Sequence, residues 1–249
     1  MKLPSFEPTA NAIKLIAVTA MLFDHIAWLF IGIESPAGFL MRFAGRITAP
    51  VMCFFISEGY LHTRNLRRYA LRLTVFAAVS YLPYILCSTG ALPTLRTAFD
   101  FNIIYTLFFS LLTLYAWDKP ACAGEKIVLL AVIFLFSTLG DWSYFAPLFT
   151  LAFFLGRGNF SRQARYFSCA ACLWLLYTAL TAFPVFGGSA ENTQEAFLIL
   201  CVQAGVFVSL PLLSLYQGKR GGGKYSGWLF YFFYPFHLLI LFFVVRLGR

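Results

Sequence analysis

Charge is what this sequence has least of. Only 12% of its 249 residues are charged, ten are acidic and three are histidine. A water-soluble fold of this length needs more polar surface than that to cover itself, so lipid is the expected solvent for most of the chain. Also lacking is any polar stretch long enough to make a separate soluble domain, and residues 1–249 are read as one integral-membrane domain. No internal repeat is visible, inverted or parallel, and no pair of interrupted apolar segments sits at matching places in two halves. That weakens a reading as a secondary transporter. Metal-ligand spacing is missing as well. The six cysteines fall mostly within apolar runs, and the one CxxC, Cys169 and Cys172, has no second ligand pair, so no metal is expected. The start, Met1 to Asn11, is polar and contains Pro4 and Pro8, unlike a signal peptide, and is read as uncleaved and cytoplasmic.

What the chain has in plenty is apolar length. Hydrophobic residues make up 60% of it and the mean hydropathy is +0.77. The fold class expected is all-α: a polytopic membrane bundle of about nine transmembrane helices, or eight if two short ones count together. Polar breaks put the candidate spans at 12–33, 37–61, 70–88, 101–117, 126–140, 142–156, 166–187, 196–216 and 226–246. The fifth and sixth are short and meet at Gly140-Asp141, as a tight hairpin or a re-entrant pair.

The net charge of +9 does not indicate nucleic acid, because the basic residues sit in short loops between apolar runs. With the amino terminus inside, the cytoplasmic side receives thirteen of them: Lys2, Arg64, Arg67, Arg68, Arg72, Lys119, Lys126, Arg157, Arg162, Arg165, Lys219, Arg220 and Lys224. The outer side receives only Arg96, Arg246 and Arg249. The positive-inside rule explains this asymmetry, and it puts the acids Glu34, Asp100, Asp141, Glu191 and Glu195 outside. A bacterial cytoplasmic membrane is the expected location.

Lys14, Arg42 and Arg46 remain, and with Asp24, His25 and Glu58 they fall within the first two spans. A charge at mid-bilayer costs at least about 2.5 kcal/mol, so such groups pair or line a watered cavity. Lys14 and His25 are eleven residues apart, which is three helical turns plus roughly 20°, so they share a face about 16 Å apart. A long thin ligand such as coenzyme A could touch both, phosphates near Lys14 and thioester near His25. Against this, Lys14 could snorkel to the surface and His25 could be a bonded core histidine. Asp24 should pair with Arg42 or Arg46 at similar depth. It is poorly placed to orient the adjacent imidazole, so the partner that orients His25 is expected from another helix. Glu58 and His62 form an i,i+4 pair ahead of Arg64, Arg67, Arg68 and Arg72, read either as a phosphate cradle or as a topogenic loop facing anionic lipid. His237, after Tyr234-Pro235, is a further buried titratable candidate.

These residues carry a resemblance. Lys14 to His25 with its Asp24-His25 pair, Gly45-Arg46 leading to Pro50, FFISEGYLHT from Phe54 to Thr63 followed by RNLRRYALRL, NIIYTL from Asn102, Gly140-Asp141, and FYFFYPFHLL from Phe230 resemble, in order, the TraX family of F-pilin acetylation proteins. The first half also resembles the acyltransferase-3 group of membrane acyltransferases. Their basic residue and histidine of the first helix fall on Lys14 and His25, and their Arg-x-x-Arg element on Arg64 and Arg67. The resemblance implies acyl transfer from cytoplasmic acyl-CoA, here acetyl-CoA, to an acceptor at or across the membrane: a pilin amino terminus, or an envelope glycan or lipid.

The expected mechanism makes His25 the general base, with Asp24, Arg46 and Glu58 in the catalytic set. Lys14, His62, Arg64, Arg67, Arg68 and Arg72 would hold the donor, and Arg42, Asn102 or His237 would meet the acceptor or the oxyanion. Two other classes stay open: a proton-coupled transporter or flippase using Asp24, His25, Glu58 and His62, and a non-catalytic partner in pilus or envelope assembly.

Overall fold

The computed structural model describes residues 8–120, 122–186, 190–223 and 226–248, with side chains described throughout these except at 184–192. Lys2, Lys224 and Arg249, and the side chain of Glu191, lie outside what is described. Among the described residues there is no strand, only one isolated bridge between Phe101 and Gly140. The α-helices are α1 (Ala10–Ile26), α2 (Pro36–Gly45), α3 (Thr48–His62), α4 (Leu66–Thr89), α5 (Ile103–Asp118), α6 (Ala123–Ser137), α7 (Phe145–Leu155), α8 (Phe160–Phe186), α9 (Ala190–Gln203), α10 (Ser209–Ser214) and α11 (Ser226–Leu247). Their starts follow from local chemistry. The side chains of Thr9, Ser35, Asn65 and Asn102 each accept from a backbone N–H in the first turn of α1, α2, α4 and α5, and Pro36 occupies the first helical position of α2.

Each expected span falls on helix over most of its described residues; residue 187, at the end of the seventh, lies outside them. Six stretches are long and apolar enough to cross a bilayer: Ala10–Ile31, Pro36–His62, Leu66–Thr89, Phe160–Phe183, Thr193–Ser214 and Ser226–Leu247. Their apolar side chains also point outward. Leu173, Leu176 and Leu180 on α8, spaced as one helix face, are 54%, 55% and 66% exposed, which only a lipid solvent tolerates over such a length. The chain is a multi-pass membrane protein. A count of nine is not reached on length, because α5, α6 and α7 have 16, 15 and 11 residues.

The residues divide into two compact units. One comprises Met1–Met52 with Phe160–Phe230, the other Cys53–Asn159 with Tyr231–Arg249. In the first, α1 packs on α2, α8 on α9, and α2 on α9. Two of its spans are broken, which the sequence reading did not anticipate. The second span is interrupted at Arg46-Ile47, where both N–H groups reach back only three residues, to the Phe43 and Ala44 carbonyls. The eighth passes through a 3₁₀ stretch at Ala204–Val208. The two breaks meet: a Cβ on Gly205 would collide with the Phe43 carbonyl oxygen and lie 3.1 Å from Arg46 Cβ. α1 likewise ends in a π turn over Ala27–Ile31, directly after Ile26.

In the second unit α5 packs on α4, α6 and α7. The short fifth and sixth segments behave differently. Eight of the eleven residues of α7 are buried, whereas α6 buries only Ile133 and Ser137 and exposes Ile127, Val128 and Leu135. Helix α7 is therefore a core element, the usual fate of so short an apolar run. Its entry turn holds Trp142 and Ser143 at φ 64° and 46°, and Phe101 brackets it, donating to the Leu139 carbonyl and accepting from Asp141 N at 2.8 Å each.

The break-on-break contact sets a prediction. Gly205→Ala should destabilise the protein by about 1–3 kcal/mol through overpacking. Gly124→Ala, on α6 with open space around its Cβ position, should be neutral or stabilising. Thermal unfolding in detergent checks both, and equal midpoints for the two variants would contradict the close approach.

Candidate functional site

Asp24 is the most deeply buried ionised group of the first unit, 8% exposed. It lies between two guanidiniums. Arg46 Nη2 donates to Asp24 Oδ2, and Arg42 Nε stands 3.8 Å from Oδ1. Both arginines expected as alternatives thus serve together. The pairing depends on the helices coming very close, and Gly45 permits it: a Cβ there would collide with Asp24 Cβ and sit 2.8 Å from its Cγ. Small residues at crossing points are how helices approach in lipid, where no hydrophobic force drives them together. Thr48 Oγ1 adds a bond to the Ala17 carbonyl at 2.8 Å. One carboxylate between two guanidiniums leaves a net charge of +1.

His25, the next residue, lies within electrostatic reach of Asp24, Arg42 and Arg46. Its Nδ1 meets the Met21 carbonyl at 2.8 Å. A carbonyl only accepts, so Nδ1 is the donor in this contact. For Nδ1 the partner comes from the same helix. A histidine one turn after a backbone carbonyl reaches it without help, and His62 and His237 do the same at 2.9 Å to the Glu58 and Phe233 carbonyls. The neighbouring charges, not that bond, set His25 apart.

Lys14 lies on the same unbroken helix as His25, with its Nζ 5.8 Å from the centroid of the Phe230 ring. Near this end of α1 the chain from Gly218 to Gly223 returns. Ala10 N donates to the Lys219 carbonyl at 2.8 Å, and Asn11 Nδ2 donates to the Gly221 carbonyl and to Ser226 Oγ. Arg220 is thereby close enough to Lys14 for the two cations to repel.

The remaining candidates belong to the second unit. Glu58 is half-buried, and His62 meets it through its carbonyl rather than its carboxylate. Arg67, Arg68 and Arg72 are not in a loop: Asn65 caps α4 by accepting from Arg68 N at 2.9 Å, so the helix starts four residues before the expected span. Arg64, Arg67, Arg68 and Arg72 are all exposed, and Arg72 lies over the Tyr69 ring at 5.5 Å and donates to the Tyr231 hydroxyl. Asn102 is wholly buried. Its oxygen caps α5, accepting from Ile104 N and Tyr105 N, and its amide donates to the Ala77 carbonyl at 2.8 Å. His237 is buried and stacked on Phe233, with ring centroids 4.9 Å apart.

This arrangement can be set beside known proteins. The TraX protein family matches over residues 9–245. The chain belongs to the TraX family. A Dichelobacter nodosus protein described as "Probable fimbrial assembly protein FimC, serogroup H1" is 30% identical over 243 residues, 94% of each chain. No solved structure matches.

Within this TraX chain, the residues that the structure brings together in the first unit are Asp24, His25, Arg42 and Arg46, with Lys14 toward the other end of the same helix. Sequence reasoning missed Arg220 as a neighbour of Lys14. The signal was present as KRGGGK, residues 219–224, a basic glycine run, but topology alone accounted for its charges. Among the described residues no group of three or more His, Cys, Asp or Glu is placed to hold a metal ion.

The ion cluster makes a prediction of its own. Asp24→Asn leaves two guanidiniums in a buried site without their carboxylate and should cost about 3–5 kcal/mol of stability. Adding Arg46→Gln should restore part of the loss, a coupling of about 0.5–3 kcal/mol in a double-mutant cycle. Strictly additive unfolding energies would refute the pairing.

Proposed function

We propose that this TraX-family chain is a membrane acetyltransferase of the bacterial cytoplasmic membrane. It would move an acetyl group from cytoplasmic acetyl-CoA to an amine or hydroxyl of an acceptor at or across the bilayer. One observation carries the reading: a single helix, α1, holds a cationic end at Lys14 and, about 16 Å along its axis, a histidine beside a net positive ion cluster. That layout suits a ligand with phosphates at one end and a thioester at the other.

In this reading, Nε2 of His25 takes the proton as the acceptor nitrogen or oxygen attacks the thioester carbonyl. The new carbon–heteroatom bond forms, the carbonyl oxygen becomes an oxyanion, and Arg42 and Arg46 lie on the side of His25 where positive charge is already in excess. Collapse breaks the carbon–sulfur bond, and the imidazolium returns its proton to the departing thiolate. Asp24 holds the arginines in place. Asn102 takes no part, because its amide is engaged in capping α5 and in bonding α4. Family membership supports acetylation of a pilin as the default acceptor chemistry, and the fimbrial name of the D. nodosus relative supports a role connected with pili. Envelope glycans and lipids are the other acceptors with the required amine or hydroxyl.

A second reading has one observation in its favour. Two interrupted spans that meet at their breaks are a device of transporters, which line ion paths with irregular backbone. A proton-coupled transporter would use Asp24 and His25 as carriers. A purely architectural assembly protein, the sense of the relative's name, needs neither.

Replacing His25 by Ala separates the three. Transfer of labelled acetyl from acetyl-CoA in membrane vesicles should fall by at least about 100-fold while the protein stays inserted and folded. Mass spectrometry of membranes with and without the chain should show an added acetyl mass, naming the acceptor. Undiminished transfer in the variant would sink the base assignment. Proton movement in liposomes with no response to acyl-CoA would establish the transporter instead.

A further inference from the structure

The strap over the start of α1 is built for something other than capping alone. Gly221 and Gly222 stand at φ +66° and +73°, and a Cβ on either would collide with Thr9 or Asn11. Only glycine fits such backbone at such range. The strap carbonyls of Lys219 and Arg220 accept from Ala10 N and Asn11 N, and Thr9 accepts from Ala12 N, so the first amides of α1 are already engaged. The helix end offers nothing to a ligand through its backbone. What it presents is side chains. Arg220 is exposed, and its Nη2 lies 3.9 Å from the Cβ position of Gly227. Gly227 and Phe230 share one face of the first turn of α11, and Lys14 approaches the Phe230 ring. Two cations from distant parts of the chain thus approach one face of the first turn of α11. A polyanion bound on that face is attracted to both.

We infer that Lys14 and Arg220, set by the Gly218–Gly223 strap, form a clamp for a diphosphate ester, the nucleotide end of the acyl donor. This rests on the acyltransferase reading for the donor's identity. Arg220 supplies the planar fork that grips two phosphate oxygens, and Lys14 the compact charge at the edge of the span. The unadorned Gly227 leaves room beside the guanidinium for the phosphates. The clamp lies at the opposite end of α1 from His25, so a donor held there extends its thioester along the helix toward the base.

The test uses the full chain in phosphatidylcholine nanodiscs, titrated with coenzyme A, adenosine diphosphate and pantetheine. Arg220→Ala should bind the two diphosphates about tenfold more weakly, the loss of one charge-assisted contact, and pantetheine unchanged. Arg220→Lys should fall between. An unaltered unfolding midpoint is expected for both variants, since the side chain is exposed. Unchanged affinity for coenzyme A in Arg220→Ala would overturn the clamp and leave the acyltransferase reading intact. If added phosphatidylglycerol displaces coenzyme A from the wild type but not from the variant, the patch belongs to a lipid headgroup and the clamp is likewise overturned. A wild type that binds no coenzyme A at all would remove the acyltransferase reading itself.

Discussion

The first unit depends on one carboxylate. Asp24 faces the bundle from α1, and an isolated ion there would be untenable in hydrocarbon. Two arginines of the second span answer it, and to do so they must come from a helix close enough for Gly45 to touch the carboxylate's own carbons. The ion cluster and the close crossing are therefore one constraint. Neither a larger residue at 45 nor a neutral one at 24 leaves the other intact. Because two positive charges meet one negative, the arrangement also imposes an unbalanced field on whatever stands beside it, and His25 stands beside it by covalent necessity.

The break of the second span belongs to the same constraint. Arg46 is the residue after α2, and the backbone turns there through two bonds of the tighter 3₁₀ type before α3 resumes. Irregular backbone at membrane depth is tolerated where protein buries it, and here the 3₁₀ stretch at Ala204–Val208 does so through Gly205. Two glycines thus allow two close approaches, Gly45 to Asp24 and Gly205 to Phe43, on either side of one arginine. A histidine in such surroundings differs from the other two in the chain by its neighbours alone, since all three rings make the same bond to their own helix.

What the sequence made legible follows from what periodicity and hydropathy measure. Apolar length placed the spans, and the scarcity of charge made Lys14, Asp24, His25, Arg42 and Arg46 conspicuous. Their grouping in one unit followed, because three lie on one helix and two on the next. The misses have physical causes too. The break at Arg46 was marked and passed over: Pro50, in the first turn of α3, has no N–H to give the Arg46 carbonyl and its ring crowds that carbonyl, and Arg42, Gly45 and Arg46 interrupt the apolar run just before it. The arginines after His62 were read as loop because charge ends a span, but a capped helix carries charge in its first turns, and Asn65 is such a cap. The distinction between α6 and α7 was invisible, since lipid and a protein core select the same apolar residues. The Lys219-Arg220 strap joins positions more than two hundred residues apart, beyond the reach of any local pattern.

A helix that bears two functional groups acts as a ruler, and this shapes the proposed chemistry. The separation of Lys14 from His25 is fixed by backbone geometry at 1.5 Å per residue and does not depend on how loops settle. A donor clamped at the Lys14 end, as proposed, would therefore need an arm long enough to bring its reactive carbon to the base. In acyl-CoA the chain of bonds from phosphates to thioester is the same for every acyl group, because the acyl chain extends beyond the thioester and not between it and the nucleotide. The ruler consequently selects for the carrier and is indifferent to the acyl group. On the proposed reading, selection among acetyl and longer acyl groups falls to residues that follow His25, where the π turn at Ala27–Ile31 ends the helix. Changes of acyl preference would then belong there, whereas changes at Lys14 or Arg220 would alter affinity for every donor alike.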